Sequence, residues 1–235
     1  MSSSLKNRTI HGIIWSSIEK FSVQGIQFVL QILMARILLP EDYGTIAMLA
    51  IFIAISQSFV DSGFSNALIR KVDRTETDYS TVFYFNIVVG LFFYFILFFT
   101  SPFIAGFYST PVLEPLTKVL GLSLLFNSLC VVQQARLTIN LNFKTQAVIS
   151  LLSVLTSGTL GLWMAYSSYG VWALAVQTVL QAALRMILFW GLAKWKPTRK
   201  FSKVSFKEMF GFGSKILASG LLDTIYKNIY TIIIG

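Results

Sequence analysis

The sequence predicts an all-α, polytopic membrane helix bundle, with six spans forming an N-terminal lobe and a seventh span begun. Three observations lead there. The 235-residue chain is 55% hydrophobic and 12% charged, with mean hydropathy +0.70, too apolar for an ordinary soluble domain. Apolar segments recur at about 10–36, 43–65, 81–104, 116–137, 146–167, 170–193 and 209–235, each near or above the ~20 residues that cross hydrocarbon at 1.5 Å per residue. The basic residues behind the net charge of +9 avoid these segments and collect in alternate connections, a topology signal rather than a nucleic-acid one.

The tail Met1 to Arg8 is short and polar, and the apolar segment after it is too long and lacks the cleavage site of a signal peptide, so it reads as a retained first span. With Lys20 as origin, Ser16, Ser17, Gln24, Gln27 and Gln31 fall within about 60° on a helix, with Glu19 at the flank. Lipid alone makes such a face costly. It predicts a polar cavity inside a bundle; hydrogen bonds between packed spans are the other reading. Pro40, Glu41 and Asp42 mark a break before span two, which carries Ser56, Gln57, Ser58 and Asp61 near its end, where Asp61 caps or anchors it. Ser101 and Pro102 are expected to stop span three. Span four holds Asn127, Gln133, Gln134 and the lone Cys130, which excludes an intrachain disulfide or a thiolate metal cluster.

Span five aligns Gln146, Ser150, Ser153 and Ser157 with Gly158 and Gly161 nearby, a pattern for close helix packing. In span six, Gln177, Gln181 and Arg185 recur at i, i+4 and i+8, so one face is polar; Arg185 either faces the interior or snorkels to headgroups. Residues 194–208 form a basic, amphipathic linker expected at the cytoplasmic membrane surface, a solvated connection being the alternative. It separates the lobe 1–193 from span seven, 209–235, where Lys215, Ser219, Asp223, Tyr226 and Tyr230 share one arc beside Lys227. The sequence stops at Gly235 within an apolar helix, and the chain is expected to be truncated. Thirteen Lys and Arg fall on one side of the connections against two on the other, Arg36 and Lys118, which predicts a cytoplasmic N-terminus.

Catalytic chemistry finds little support. His11 is the single histidine, and no nucleophile accompanies a base at suggestive spacing. Gly211 to Lys215 lacks the glycine and lysine spacing of a phosphate loop. No enzyme and no cofactor is expected. A cationic polar cavity would instead attract a phosphate or pyrophosphate by direct charge pairing.

The block Ala35-Arg36-Ile37-Leu38-Leu39-Pro40-Glu41-Asp42-Tyr43-Gly44, with Phe59-Val60-Asp61-Ser62-Gly63-Phe64-Ser65-Asn66-Ala67-Leu68-Ile69-Arg70, resembles the N-terminal half of Wzx/WzxC-type polysaccharide flippases of the multidrug/oligosaccharidyl-lipid/polysaccharide superfamily. Tyr169-Gly170-Val171-Trp172-Ala173-Leu174 and Phe210-Gly211-Phe212-Gly213 are similar to that family too. The resemblance implies two six-helix lobes around a central cavity open alternately to either side. It also implies export of undecaprenyl-pyrophosphate-linked repeat units across the bacterial cytoplasmic (inner) membrane for lipopolysaccharide or exopolysaccharide biosynthesis. Implied partners are that lipid-linked oligosaccharide, membrane lipids, a C-terminal lobe and polysaccharide assembly proteins, with no nucleic acid. By resemblance, cavity cations hold pyrophosphate or acidic sugars: Lys20 first, then Arg185, Lys215 and Lys227, beside Gln24, Gln27, Gln31 and Asp223. Arg36, Pro40, Tyr43, Gly44, Asp61 and Gly63 are motif residues, Arg36 sitting at an outer edge where it fixes a loop or meets substrate. Two alternatives are a drug or cation exporter of the same superfamily and a structural or nonfunctional half-transporter. A membrane glycosyltransferase would need a large extramembrane loop, and no loop here is large.

Overall fold

A computed structural model describes the backbone of residues 2–61 and 63–234, with side chains described for 14–61 and 63–226. The described residues are helical, without strands: α1 (Ser2–Ala35), α2 (Pro40–Asp61), α3 (Phe64–Arg70), α4 (Glu76–Phe107), α5 (Leu113–Ser128), α6 (Val131–Ile139), α7 (Phe143–Tyr166), α8 (Val171–Ala193) and α9 (Lys203–Ile234). Five segments are long and apolar enough to cross a membrane, with mean hydropathy from 1.6 to 2.3: α2 with α3, α4, α5 with α6, α7, and α8. The helices α1 and α9, of 34 and 32 residues, lie outside that set.

Local chemistry sets the boundaries. Pro40 opens α2 as its first residue, where a missing N–H costs nothing, and the Asp42 carboxylate accepts from the Leu39 backbone N–H at 3.1 Å. Thr75 and Asp78 form a reciprocal capping box at the start of α4. Pro102 does not stop that helix, as the sequence suggested; α4 continues to Phe107. A proline frees the carbonyl four residues earlier, here Phe98, and the buried Ser101 hydroxyl donates to that carbonyl at 2.7 Å. The expected span 116–137 falls within the one apolar segment Leu113–Ile139, but its helix is interrupted at Leu129 and Cys130, where the indole N–H of Trp190 on α8 donates to the Leu129 carbonyl at 3.1 Å.

Glycines govern the closest approaches. A Cβ at Gly161 would lie 2.8 Å from Met34 Cε, and one at Gly158 would overlap Leu30, so α1 seats Leu30 and Met34 on α7. A Cβ at Gly90 of α4 would lie 2.8 Å from Ser128 of α5. The hydroxyls of α7 also serve packing, with Ser150 donating to Glu19 of α1 at 2.7 Å and Ser153 to its own helix.

The family-like blocks meet in pairs. Gly170, at φ +54°, faces the Asp42 carboxylate, so the 167–170 turn packs on the start of α2. Gly63, at φ +69°, lies against Gly213 and Ile216 of α9; beside it the Arg70 guanidinium stacks 4.6 Å from the Phe212 ring centroid, and Phe64 packs on Phe206 and Phe210. Residues 194–202 are non-helical and cross the start of α4. Trp195 is buried and donates to Glu76 at 2.8 Å, while the backbone N–H groups of Thr198 and Ser202 donate to Ser80 and Thr81. Lys71 clasps this end together, reaching Asp78 at 3.1 Å and Glu208 at 2.9 Å. Glu208 beside it holds the Lys71 ammonium pKa above its ordinary value, against the opposing effect of burial.

Candidate substrate cavity

Three adjoining cavities run through the bundle beside α8. The first, about 560 Å³ between α1, α2 and α8, is lined by Gln27, Gln31, Tyr43, Gln177, Thr178 and Gln181 among apolar neighbours. The second, about 430 Å³ between α2, α5 and α8, shares Ile46, Thr178 and Gln181 with the first and adds Gln57, Asn127 and Arg185. The third, about 630 Å³, shares Gln57, Asn127 and Arg185 with the second and adds Asp61, Ser65, Asn66, Gln134 and Thr138. Their shared walls make one polar path.

The i, i+4, i+8 spacing of Gln177, Gln181 and Arg185 is what threads this path, because one face of α8 points inward over two turns. Across from it, Asn127 donates to the Gln57 carbonyl oxygen at 2.9 Å and Gln57 donates to Asp61 at 3.0 Å, a chain that fixes both amides. Arg185 has no such anchor. Its Nε is buried without a hydrogen-bond partner, its guanidinium carbon lies 6.0 Å from the Phe189 ring centroid, and the Asp61 carboxylate of the third cavity acts on it electrostatically without a hydrogen bond between them. A guanidinium within a span costs at least about 2.5–3.5 kcal/mol to insert, and a buried unpaired N–H adds to that. An anionic ligand would satisfy both.

The expected site residues divide accordingly. Gln27, Gln31 and Tyr43 gather in the first cavity, and Asp61 and Arg185 share the third. Lys20 and Gln24 are exposed and line none of the three, and their neighbour Glu19 is the residue engaged with α7. Lys215 and Asp223 are exposed on α9, and the Lys227 side chain lies outside the described residues. Arg36 is exposed at the end of α1, and Gly44 has open space around it. Gln57 and Asn127 emerge as wall residues that the face of span one did not indicate. Among the described residues no three His, Cys, Asp or Glu converge as a metal site.

A multi-pass helical membrane bundle with a polar interior is the class these features define. The family model described as "Polysaccharide biosynthesis protein" matches residues 33–235, and the chain belongs to that family. It is 30% identical to the teichuronic acid biosynthesis protein TuaB of Bacillus subtilis over 99% of its length and 48% of that protein's. It is 25% identical to the lipopolysaccharide biosynthesis protein WzxC of Escherichia coli, again over 99% of this chain and 48% of the relative. The succinoglycan biosynthesis transport protein ExoT of Rhizobium meliloti is 26% identical over 85% of this chain and 41% of its own. The chain thus spans about half the length of the curated relatives it matches. No solved structure matches it.

Proposed function

We propose that this chain forms one lobe of an exporter that flips a lipid-linked oligosaccharide, on an undecaprenyl pyrophosphate carrier, across the bacterial cytoplasmic membrane by alternating access. The observation that carries the reading is the polar path beside α8, along which Arg185 presents a buried Nε with no hydrogen-bond partner. Amides and hydroxyls suit sugars, and a guanidinium suits a phosphate or an acidic sugar. The names of the relatives support the same direction, being those of biosynthesis or biosynthesis-transport proteins for teichuronic acid, lipopolysaccharide and succinoglycan. In this reading α1 also crosses the membrane, residues 194–202 bound the lobe, and α9 begins a second one. The N-terminus is cytoplasmic, because Arg70, Lys71, Arg74, Arg136, Lys144 and the basic residues of 194–207 follow the positive-inside rule together. Lys20 and Lys215, exposed on α1 and α9, then face the second lobe rather than the interior of this one.

Deleting the gene in its host is expected to abolish a surface polysaccharide and leave its lipid-linked precursor in the membrane. Complementation by the gene restores export, and an Arg185→Gln copy restores roughly a tenth or less, as for loss of a charge-assisted contact. Unchanged surface polysaccharide in the deletion strain would overturn the proposal.

A further inference from the structure

The polar path is chemically divided. The cavity between α1, α2 and α8 has no charged side chain in its wall, whereas Arg185 and Asp61 stand at the far end. None of the carboxamides of Gln27, Gln31, Gln177 and Gln181 hydrogen-bonds to another described residue, and the Tyr43 hydroxyl is buried with no partner. Thr178 is already engaged, donating to the Leu174 carbonyl at 2.9 Å.

Each carboxamide brings two donors and one acceptor oxygen, and the phenol brings one of each. A phosphate would use the donors and leave the amide oxygens facing its negative charge. An alkyl chain would leave every one of these groups unsatisfied. A ring bearing several adjacent hydroxyls, each both donor and acceptor, matches the mixture, and about 560 Å³ is within the range of small-molecule sites.

We propose that the α1/α2/α8 cavity is a subsite for an uncharged sugar ring, held by Gln27, Gln31, Gln177, Gln181 and the Tyr43 hydroxyl, separate from the anion-selecting end at Arg185. It rests on the reading that the polar interior receives a glycan cargo, and adds that neutral and charged parts of that cargo are recognised at different ends.

The test uses the full chain in lipid nanodiscs and saturation-transfer NMR. The neutral probes are the methyl glycosides of glucose, galactose, mannose and N-acetylglucosamine, and the anionic probe is glucose 1-phosphate. At least one neutral glycoside is expected to bind. Its affinity falls roughly three- to tenfold in Gln177→Leu, Gln181→Leu and Tyr43→Phe, the range for one lost neutral hydrogen bond, and stays within about twofold in Arg185→Gln. Glucose 1-phosphate shows the opposite sensitivity. Tyr43→Phe removes one oxygen and keeps the ring, so it still tests the site if a leucine variant fails to fold. No binding of any neutral glycoside, or equal loss in Arg185→Gln and the glutamine variants, overturns the inference. Export lost on gene deletion without glycoside binding sinks this inference alone; glycoside binding with export intact in the deletion strain sinks the exporter reading alone.

Discussion

Two glycines of the family-like block, Gly44 and Gly63, respond oppositely to the same substitution if the packing is as described. Gly63 sits at φ +69°, and an added Cβ would lie 2.6 Å from the Gly213 carbonyl oxygen and 2.8 Å from Ile216 Cβ. The left-handed backbone costs a non-glycine residue roughly 1–2 kcal/mol. Overpacking adds about 1–3 kcal/mol, because the obstacle is backbone rather than a flexible side-chain end. Gly63→Ala is therefore expected to destabilise by about 2–5 kcal/mol, chiefly by lifting α9 from the junction of α2 and α3. Gly44, inside α2, has nothing within 4 Å of an added Cβ. Gly44→Ala should be neutral or stabilising by up to about 1 kcal/mol through helix propensity. Thermal melting in detergent, followed by the surviving monodisperse peak, reads both. A Gly63→Ala protein as stable as the parent would refute the α2–α9 contact.

Other perturbations follow from the same contacts. Gly161→Leu should displace Met34 and loosen α1 from α7 by about 1–3 kcal/mol, measured as a lower melting temperature. Asp78→Ala removes the N-cap partner of Thr75 and one Lys71 contact, and should cost about 2–3 kcal/mol by the same melt. The Lys71 pKa is raised in the fold, so its ion pair stabilises fully below the unfolded value of about 10.4 and is lost as pH climbs through the higher native value. Melting of the parent should consequently drop more than that of Glu208→Gln over that alkaline window; parallel curves would remove Glu208 from the account.

Helical periodicity indicated which glutamines share a cavity wall. Gln177, Gln181 and Arg185 could be read as one face from spacing alone, and so could Gln27 with Gln31. Lys20 shows where that method stops. A helical wheel discards the coordinate along the axis, and Lys20 lies seven residues, about 10 Å, before Gln27; the cavity wall that α1 contributes begins at Gln27. The continuation of α4 through Pro102 goes with the adjacent Ser101 hydroxyl, a local device that the helix-stopping reputation of proline masked, whereas the α5/α6 break meets an indole 61 residues away and has no local signature. The docking of 194–202 across α4 likewise depends on Trp195 finding Glu76, a contact that a basic composition conceals.

The central claim is that the face of α8 borders a hydrated cavity rather than a dry interhelical seam, and Thr178, shared by two cavities, reports on it directly. In a Cys130→Ser background, Thr178→Cys is to be labelled in intact membranes with a charged methanethiosulfonate, beside Phe99→Cys on the exposed face of α4. The account predicts rapid modification at 178 and little at 99, where lipid keeps the thiol protonated and the reagent out. Equal resistance at both positions would contradict it and leave the glutamines as interhelical glue.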